Sequence, residues 1–186
     1  PDDVERSAAG SGRAKPRVVR VELSQPQKQV YDSAARFRML VAGRRFGKTY
    51  LSVPELIRMA NGPGREAWYV APTYKQAKMI AWLQLKRQAA PYIVAKNETE
   101  LSVELRSGGR IRLHGAENYD SLRGPGLDGL VVDEFADIAK EAWSEVLRPM
   151  LSDRLGCALF IGTPEGYNHF YEMWNEAHGK PDWAAF

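Results

Sequence analysis

The sequence has little cysteine and no long apolar run. Its 186 residues include one cysteine, Cys157, so neither an internal disulfide nor a zinc site made of several cysteines can form. No apolar stretch approaches the roughly 18 residues of a membrane-spanning helix, and we expect a soluble chain with no membrane contact. The 26 basic and 23 acidic residues give a net charge of +3, which by itself predicts no particular partner.

Apolar strand-like segments alternate with helical ones along most of the chain. Strands are predicted at 37–42, 67–71, 130–132 and 157–161, and helices at 27–35, 47–60, 74–90, 140–151 and 168–177. This alternation predicts an α/β fold with a mostly parallel sheet flanked by helices. Pro54 should kink the second helix or make it irregular, because proline lacks an N–H donor.

Two further segments depart from the alternation. Residues 100–106 and 110–114 surround Ser107-Gly108-Gly109, which predicts an inserted β-hairpin with both glycines at positive φ. Residues 1–22 are polar and rich in small side chains, and they predict a flexible N-terminal tail. Residues 23–186 should then form one domain.

A phosphate-binding loop is predicted between the first strand and the second helix. The segment matches G-x-x-x-x-G-K-[ST] except at its first position, and it runs Ala42-Gly43-Arg44-Arg45-Phe46-Gly47-Lys48-Thr49. We expect Gly43 to allow the tight turn in place of the missing first glycine. Backbone amides and the helix N-terminus would bind phosphate oxygens, Lys48 would add charge, and Thr49 would ligate Mg²⁺. The alternative is that Gly-Lys-Thr only begins a helix.

An acidic pair, Asp133 and Glu134, ends the apolar run Leu130–Val132. Asp133 is the candidate magnesium ligand with Thr49, and Glu134 the candidate base for an attacking water. The alternative is that the two acids cap the following helix. Thr163 follows the last predicted strand, where it could sense a γ-phosphate or simply lie in a turn.

The same residues indicate which nucleotide reaction to expect. Transfer to a small acceptor needs no water-activating base, so Glu134 favours hydrolysis. The chain has no Asn-Lys-x-Asp segment for reading guanine, which favours ATP.

Several motifs together resemble the ATPase domain of the large terminase subunits that package DNA into tailed-phage heads. The resemblance covers about residues 23–177 and implies a RecA-like P-loop NTPase. It rests on the loop Ala42–Thr49, on Ala71–Ala77 (APTYKQA), on Gly115–Gly124 (GAENYDSLRG), on Leu127–Asp137 (LDGLVVDEFAD) and on Gly162-Thr163-Pro164.

The resemblance implies roles for individual residues. Lys48 and Thr49 correspond to the Walker A pair, Asp133 to the magnesium aspartate, Glu134 to the catalytic glutamate and Thr163 to the coupling residue. Other nucleotide contacts would come from the loop residues Gly43, Arg44, Arg45, Phe46 and Gly47.

Three more positions match family residues that act on the base or the phosphates. Gln27 matches the adenine-contacting glutamine, with Gln29 a weaker candidate; the alternative is an exposed helix glutamine. Arg44 matches a loop arginine sometimes assigned as a finger in cis. Arg123 matches an arginine that reaches a neighbouring subunit's nucleotide, the alternative being a solvated loop arginine.

The function that the resemblance implies is Mg²⁺-dependent ATP hydrolysis that moves double-stranded viral DNA into a procapsid. The implied partners are DNA, a homo-oligomeric ring of this chain, a portal protein and a small terminase subunit, in the host cytoplasm and transiently docked on the procapsid. The family's C-terminal nuclease domain is absent from these residues, and we expect no cutting. The alternatives are a helicase-type ATPase lobe and an ATP-binding assembly module with negligible hydrolysis alone.

Other polar and aromatic residues favour structural roles. Lys75, Lys78 and Lys86 share a helix face that could follow a DNA backbone, but lysine stems covering Met79 and Trp82 explain it better. The three histidines lack metal-ligand spacing. An aromatic cluster in the last helix is predicted to be core, and it consists of Phe170, Tyr171 and Trp174.

Overall fold

The computed structural model describes residues 21–186. The predicted tail therefore lies outside the described residues except for its last two positions. Within this range no helix has the length and apolar character needed to cross a membrane.

Helices and strands alternate much as the apolar pattern predicts. The strands are β1 (Phe37–Val41), β2 (Glu66–Ala71), β3 (Ile93–Asn97), β4 (Ser102–Leu105), β5 (Arg110–Gly115), β6 (Gly129–Asp133), β7 (Cys157–Gly162) and β8 (Trp183–Ala185). The α-helices are α1 (Gln25–Asp32), α2 (Lys48–Met59), α3 (Tyr74–Ala77), α4 (Leu83–Gln88), α5 (Arg148–Ser152) and α6 (His169–Ala177). Two π-helical segments, Lys78–Trp82 and Ala142–Leu147, precede α4 and α5, and Tyr119–Leu122 and Phe135–Asp137 are 3₁₀ turns.

All eight strands form one sheet in the order β3-β4-β5-β2-β6-β7-β1-β8. Six neighbouring strands pair in parallel, in the order β5-β2-β6-β7-β1-β8. At the other end of the sheet, β3 pairs antiparallel with β4, and β4 pairs antiparallel with β5. The apolar residues of α1, α2 and α4 cover one face, and those of α5, α6 and the second π-helical segment cover the other. The predicted α/β fold with a mostly parallel sheet is therefore confirmed.

The predicted hairpin is part of a larger antiparallel unit. β4 and β5 pair as expected, but β3 adds a third strand outside them, and β5 continues the main sheet by pairing with β2. Gly108 has the expected positive φ of 84°, whereas Gly109 does not. The glycine prediction is thus wrong at Gly109, where lack of space is the constraint: a Cβ there would lie 1.8 Å from the Ala60 carbonyl oxygen.

Helix α2 runs through Pro54 without the predicted irregular turn. Proline has no N–H, so the carbonyl of Tyr50 loses the donor that an ordinary helix residue would supply. The Nε2 of Gln88, at the end of α4, donates to this carbonyl at 3.4 Å. A side chain from a neighbouring helix thus replaces the missing bond.

A buried ion pair joins β1 to α2. Arg38 on β1 is 1% exposed and Glu55 on α2 is 0% exposed, and two N···O contacts of 2.6 and 2.7 Å connect them. Arg38 also donates to the Val30 carbonyl, and Arg58 donates to Glu55. Removing one partner of such a pair leaves the other charge buried without a partner, which costs about 3–5 kcal/mol. The pair fixes the two elements that the phosphate loop connects.

Helix α2 also packs closely against β6. A Cβ on Gly129, the first residue of β6, would lie 2.3 Å from the Cβ of Met59, the last residue of α2. The end of α2 thus lies over the start of β6, and the beginning of α2 is directed toward the end of the strand, where the acidic pair follows.

Replacing Gly129 with alanine should destabilise the fold, because α2 must move away from β6. We expect Gly129→Ala to lower the free energy of unfolding by roughly 1–3 kcal/mol, measured by urea denaturation. Gly179→Ala is the matched control, since a Cβ there meets nothing within 4 Å, and it should change stability by less than about 0.5 kcal/mol. Equal stability of the two variants would contradict the close packing.

Candidate active site

Three neighbouring parallel strands end at one edge of the sheet. Val41 of β1 lies beside Gly162 of β7, and Ile161 of β7 lies beside Asp133 of β6. The next residue of each strand continues into the candidate site: the phosphate loop after β1, Thr163 after β7, and Glu134 after β6. The parallel register therefore gathers the residues that sequence motifs had singled out.

Lys48 connects the loop to the adjacent strand. Its Nζ donates to the Ala42 carbonyl at 2.8 Å and to the Thr163 hydroxyl at 2.9 Å, and it lies 3.8 Å from Glu134 Oε1. The Lys48 side chain is 10% exposed, so these interactions are screened little by solvent. A cation is thus held among three groups from the ends of β1, β7 and β6.

Glu134 is held in a strained conformation next to Thr163. Its φ of 46° and ψ of 53° lie in the left-handed region, which costs a residue with a Cβ about 1–3 kcal/mol. The Thr163 N–H donates to Glu134 Oε2 at 3.0 Å, and the Thr163 hydroxyl donates to Oε1 at 3.2 Å. These bonds orient the carboxylate toward the lysine of the phosphate loop.

Asp133 is buried and carries two hydrogen bonds. Oδ1 accepts from the Glu134 N–H at 3.0 Å, and Oδ2 accepts from the Tyr69 hydroxyl. Burial raises the pKa of Asp133 to about 6, and the Tyr69 hydrogen bond opposes this rise. Sequence reasoning missed Tyr69; the available signal was a hydroxyl in the buried run of strand β2, which pairs with β6.

The donor set at this edge fits a magnesium ion that shares its ligands with a nucleotide. Each oxygen of Asp133 keeps one free lone pair beside its hydrogen bond, and Thr49 is the second residue of α2. Over residues 21–186 no group of three or more His, Cys, Asp or Glu side chains could hold a metal. Mg²⁺ typically needs only one or two carboxylates together with substrate phosphates and water.

The phosphate loop turns over several residues. Gly43 begins the turn, since its carbonyl accepts from the Phe46 N–H at 3.4 Å, but the positive φ values fall at Arg45 (71°) and Gly47 (86°). Position 47 requires glycine for two reasons: its φ is positive, and a Cβ there would lie 2.6 Å from Gln27 Nε2. Phe46 is half-buried, and Phe46 and Gly47 offer their carbonyls to Gln27.

Gln27 is buried against the loop at 6% exposure, so the alternative of an exposed helix glutamine is wrong. Its Oε1 accepts from the Ser24 N–H at 2.9 Å, and its Nε2 donates to the Phe46 carbonyl at 2.9 Å. Both ends of the amide thus contact backbone, and α1 is fastened to the phosphate loop. Contact of Gln27 or of Gln29 with adenine stays a prediction.

The three candidate arginines are exposed, and within residues 21–186 none of them forms a hydrogen bond or ion pair with Lys48 or Glu134. Arg44 and Arg45 make no hydrogen bond or ion pair with any residue of the described range. Arg123 donates to the Glu145 carbonyl at 3.1 Å and to Asp120 at 3.2 Å, and its side chain is 55% exposed. The structure does not bring Arg123 to Lys48 or Glu134, and a role at a neighbouring subunit stays a prediction.

The remaining polar candidates have structural contacts. Lys86 Nζ lies 5.1 Å from the centre of the Trp82 ring and pairs with Glu98 at 2.9 Å. Met79 is 73% exposed, so the predicted cover of Met79 by lysine stems is wrong. His169 and His178 contact backbone carbonyls, and the His114 ring packs on Trp68 at 4.0 Å between ring centres, tilted by 40°.

The aromatic cluster of α6 is only partly core. Phe170 is 3% exposed, as predicted, but Tyr171 is 40% exposed. The core prediction is therefore wrong for Tyr171, because α6 covers the sheet with one face only.

Comparison with known proteins gives consistent matches. The family model for the N-terminal part of the T4-like-virus type of terminase large subunit matches residues 39–185. The terminase large subunit of Thermus phage G20c is 32% identical over an alignment of 168 positions, which covers 79% of this chain and 35% of that protein. The chain thus spans about a third of the length of this curated relative.

Solved structures match over most of the described range. The large terminase ATPase domain of Thermus phage P74-26 has a TM-score of 0.77 and 28% identity, covering 89% of this chain and 80% of that one. The large terminase of another thermophilic bacteriophage, in complex with ADP, has a TM-score of 0.75 and 16% identity, covering 89% and 45%; this likeness concerns the fold. The family match, the identity and the fold agree, and the chain belongs to the terminase large-subunit family, whose N-terminal part it matches.

Proposed function

We propose that this chain binds Mg²⁺–ATP and hydrolyses it to move double-stranded viral DNA into a procapsid. The observation that carries the proposal is the contact of Lys48 with Thr163 and Glu134 at the carboxyl edge of one parallel sheet. Phosphoryl transfer to water requires a cation for the phosphates and a residue that positions the water, and here the Thr163 hydroxyl links the two.

Glu134 is the proposed general base. Its carboxylate takes a proton from water as the water oxygen bonds to the γ-phosphorus, and the bond from that phosphorus to the β–γ bridging oxygen breaks, giving ADP and phosphate. Lys48 offsets the negative charge on the phosphate oxygens. The residues that orient Glu134 are its own strained backbone and Thr163.

Thr163 is the proposed coupling residue. Its hydroxyl accepts from Lys48 and donates to Glu134, so a lysine that moves toward a phosphate changes the contacts of the base. Thr163 also directly precedes the segment that leads to α6, which gives a path from the nucleotide to a moving element.

Asp133 and Thr49 would hold the magnesium ion. When bound, Mg²⁺ supplies positive charge that stabilises the phosphate oxygens. Asp133 must be ionised to act as a ligand, and Tyr69 favours the ionised form by donating to it.

The proposed assembly is a ring of identical chains that acts with a portal protein and a small terminase subunit in the host cytoplasm, transiently docked on the procapsid. Its basis is the family, because the relatives are terminase large subunits. One observation on this chain favours a second candidate, an ATP-binding assembly module that is nearly inactive alone. Arg123 is exposed and its hydrogen bonds go to Glu145 and Asp120, not to Lys48 or Glu134.

Removing the base should abolish turnover without abolishing binding. We expect Glu134→Gln to lower steady-state ATP hydrolysis by at least about 100-fold while ATP affinity, measured by calorimetry, changes only a few-fold. Glu172→Gln on the exposed side of α6 is the control and should keep full activity. Undiminished hydrolysis in Glu134→Gln would overturn the catalytic assignment.

The role of Arg123 can be tested by measuring ATP hydrolysis per chain at several protein concentrations. If Arg123 completes the site of a neighbouring chain, hydrolysis per chain should rise with protein concentration, and Arg123→Ala should remove this rise. A finger arginine contributes roughly 10³–10⁵ in rate. Arg87→Ala, an exposed arginine on α4, should leave the rise intact. A rate that does not depend on concentration and is unchanged by Arg123→Ala would refute action between subunits.

The Tyr69–Asp133 contact predicts a pH effect. The pKa of Asp133 is raised to about 6, so the gain in nucleotide affinity that Mg²⁺ provides should fall as the pH drops through 6. Tyr69→Phe removes a bond that lowers this pKa, and we expect the midpoint to move to higher pH. Titration of the nucleotide phosphates is common to both proteins, so the difference reports Asp133. The control Tyr92→Phe should not move the midpoint; an unmoved or lower midpoint in Tyr69→Phe would contradict the assignment.

A further inference from the structure

Tyr167 is 91% exposed, more than any other large apolar side chain of residues 21–186. Its ring meets the ring of Tyr171 edge to face, at 5.0 Å between ring centres and an angle of 88°, and Tyr171 is itself 40% exposed. We call these two residues the tyrosine pair. Tyrosine is enriched at the centres of protein interfaces, because its large ring buries much surface with few rotatable bonds. The pair is therefore a candidate contact surface.

The tyrosine pair lies close to the groups that would act on the γ-phosphate. Thr163, which contacts both Lys48 and Glu134, is followed by four exposed residues, 164–167. Because consecutive Cα atoms are about 3.8 Å apart, the Cα of Tyr167 lies within about 15 Å of the Cα of Thr163. A segment of another molecule that packs on the pair can thus extend a long side chain toward the proposed phosphate site.

The loop that carries Arg123, residues 116–127, is fixed at both ends. Near its start, the Glu117 carboxylate accepts from the Tyr74 N–H at 2.9 and 3.0 Å. At its end, the Leu127 N–H donates to the Met150 carbonyl at 2.8 Å. A loop with fixed ends loses less conformational entropy on binding than a free one. This segment, the Arg123 loop, is therefore suited to docking on a partner.

The tip of the Arg123 loop is exposed and weakly held. Arg123, Gly124 and Pro125 are all exposed. The ion pair of Arg123 with Asp120 joins two side chains that are 55% and 68% exposed, and a pair of this kind contributes little to stability. A partner can therefore take Arg123 away from Asp120 at small cost.

The two surfaces lie on different parts of the sheet. The Arg123 loop follows β5 and the tyrosine pair follows β7, and strands β2 and β6 lie between β5 and β7. Contact between two different surfaces of identical chains is head-to-tail, which is the kind of contact that builds a ring of subunits. The charges are also complementary, since the exposed Glu165 precedes the pair and the loop tip carries Arg123.

We infer that the tyrosine pair is the surface on which the Arg123 loop of a neighbouring copy of this chain docks; the inference rests on the proposed function. Pro125 and the aliphatic stem of Arg123 pack on the aromatic ring of Tyr167, because proline segments dock on aromatic surfaces and arginine stems cover apolar ones. Tyr171 supports that ring edge to face. The guanidinium then extends toward Thr163 and the nucleotide of the chain that presents the pair.

Photo-crosslinking tests the contact directly. The 186-residue chain with p-benzoylphenylalanine at position 167 is mixed with the unaltered chain labelled with ¹⁵N, and irradiated with ATP and Mg²⁺ present. We expect mass spectrometry to find cross-links from position 167 to residues 116–127 of the labelled chain. The same group in place of Leu155, which is 78% exposed, is the control and should not reach that loop. Absence of cross-links from position 167 to the loop of the labelled chain would overturn the inference.

Hydrolysis at several protein concentrations tests the aromatic contact. Tyr167→Ala should raise the concentration at which the rate per chain is half-maximal roughly 5- to 30-fold, the effect of losing one contact between arginine and an aromatic ring. Tyr167→Phe keeps the aromatic ring and should stay within about twofold of the unaltered midpoint. Leu155→Ser, at another exposed apolar residue, is the matched control and should not move it.

ATP affinity in dilute solution separates a docking defect from a nucleotide defect. If Tyr167→Ala weakens ATP binding as much as it moves the midpoint, Tyr167 acts on the nucleotide and the inference fails. If Arg123→Ala removes the concentration dependence but Tyr167→Ala leaves the midpoint unchanged, the inference fails while the proposed function stands. If the unaltered chain neither binds nor hydrolyses ATP, the proposed function fails and the inference fails with it.

Discussion

The parallel pairing of β6, β7 and β1 is the constraint on which the candidate site depends. Because Asp133 lies beside Ile161 and Val41 lies beside Gly162, the three strands end together and release their next residues at one edge. A slip of one residue in either pairing would turn every side chain to the opposite face and separate Lys48 from Thr163. The buried Arg38–Glu55 pair supports the same arrangement, because it joins β1 to α2, the two elements that flank the phosphate loop.

The contacts of Thr163 make the site a connected unit. One hydroxyl accepts from the lysine of the β1–α2 loop and donates to the carboxylate that follows β6. The strain of Glu134, in the left-handed region, persists because its backbone N–H bonds to Asp133 and its carboxylate to Thr163. Strain of this kind is common where a side chain must be presented in one orientation. Loss of any one member would therefore alter the other members as well.

Much of this arrangement was predictable from the sequence, and the failures have physical causes. The buried parallel strands are apolar runs that end in distinctive motifs, so their positions along the chain and their ends could be predicted. Strand β3 lies at the sheet edge and its residues are mostly exposed, so burial does not select an apolar pattern there. Strand β8 has three residues, too few to show a pattern. The environment of Gln27 depends on a contact between residues 19 apart, which no local spacing encodes. The positive φ of Arg45 could not be predicted either, because residues with a Cβ rarely adopt it.

The neutral partner of Asp133 bears on the proposed binding of Mg²⁺. A lysine or arginine in the place of Tyr69 would hold the pKa of Asp133 low, but its positive charge would repel a divalent cation at the same carboxylate. A tyrosine hydroxyl orients the carboxylate and favours ionisation without adding charge. Burial leaves the carboxylate poorly solvated and raises its pKa to about 6. At this pKa the group is still largely ionised near neutral pH. A poorly solvated carboxylate loses little hydration when it meets a cation, so the burial that disfavours its charge also favours its use as a ligand.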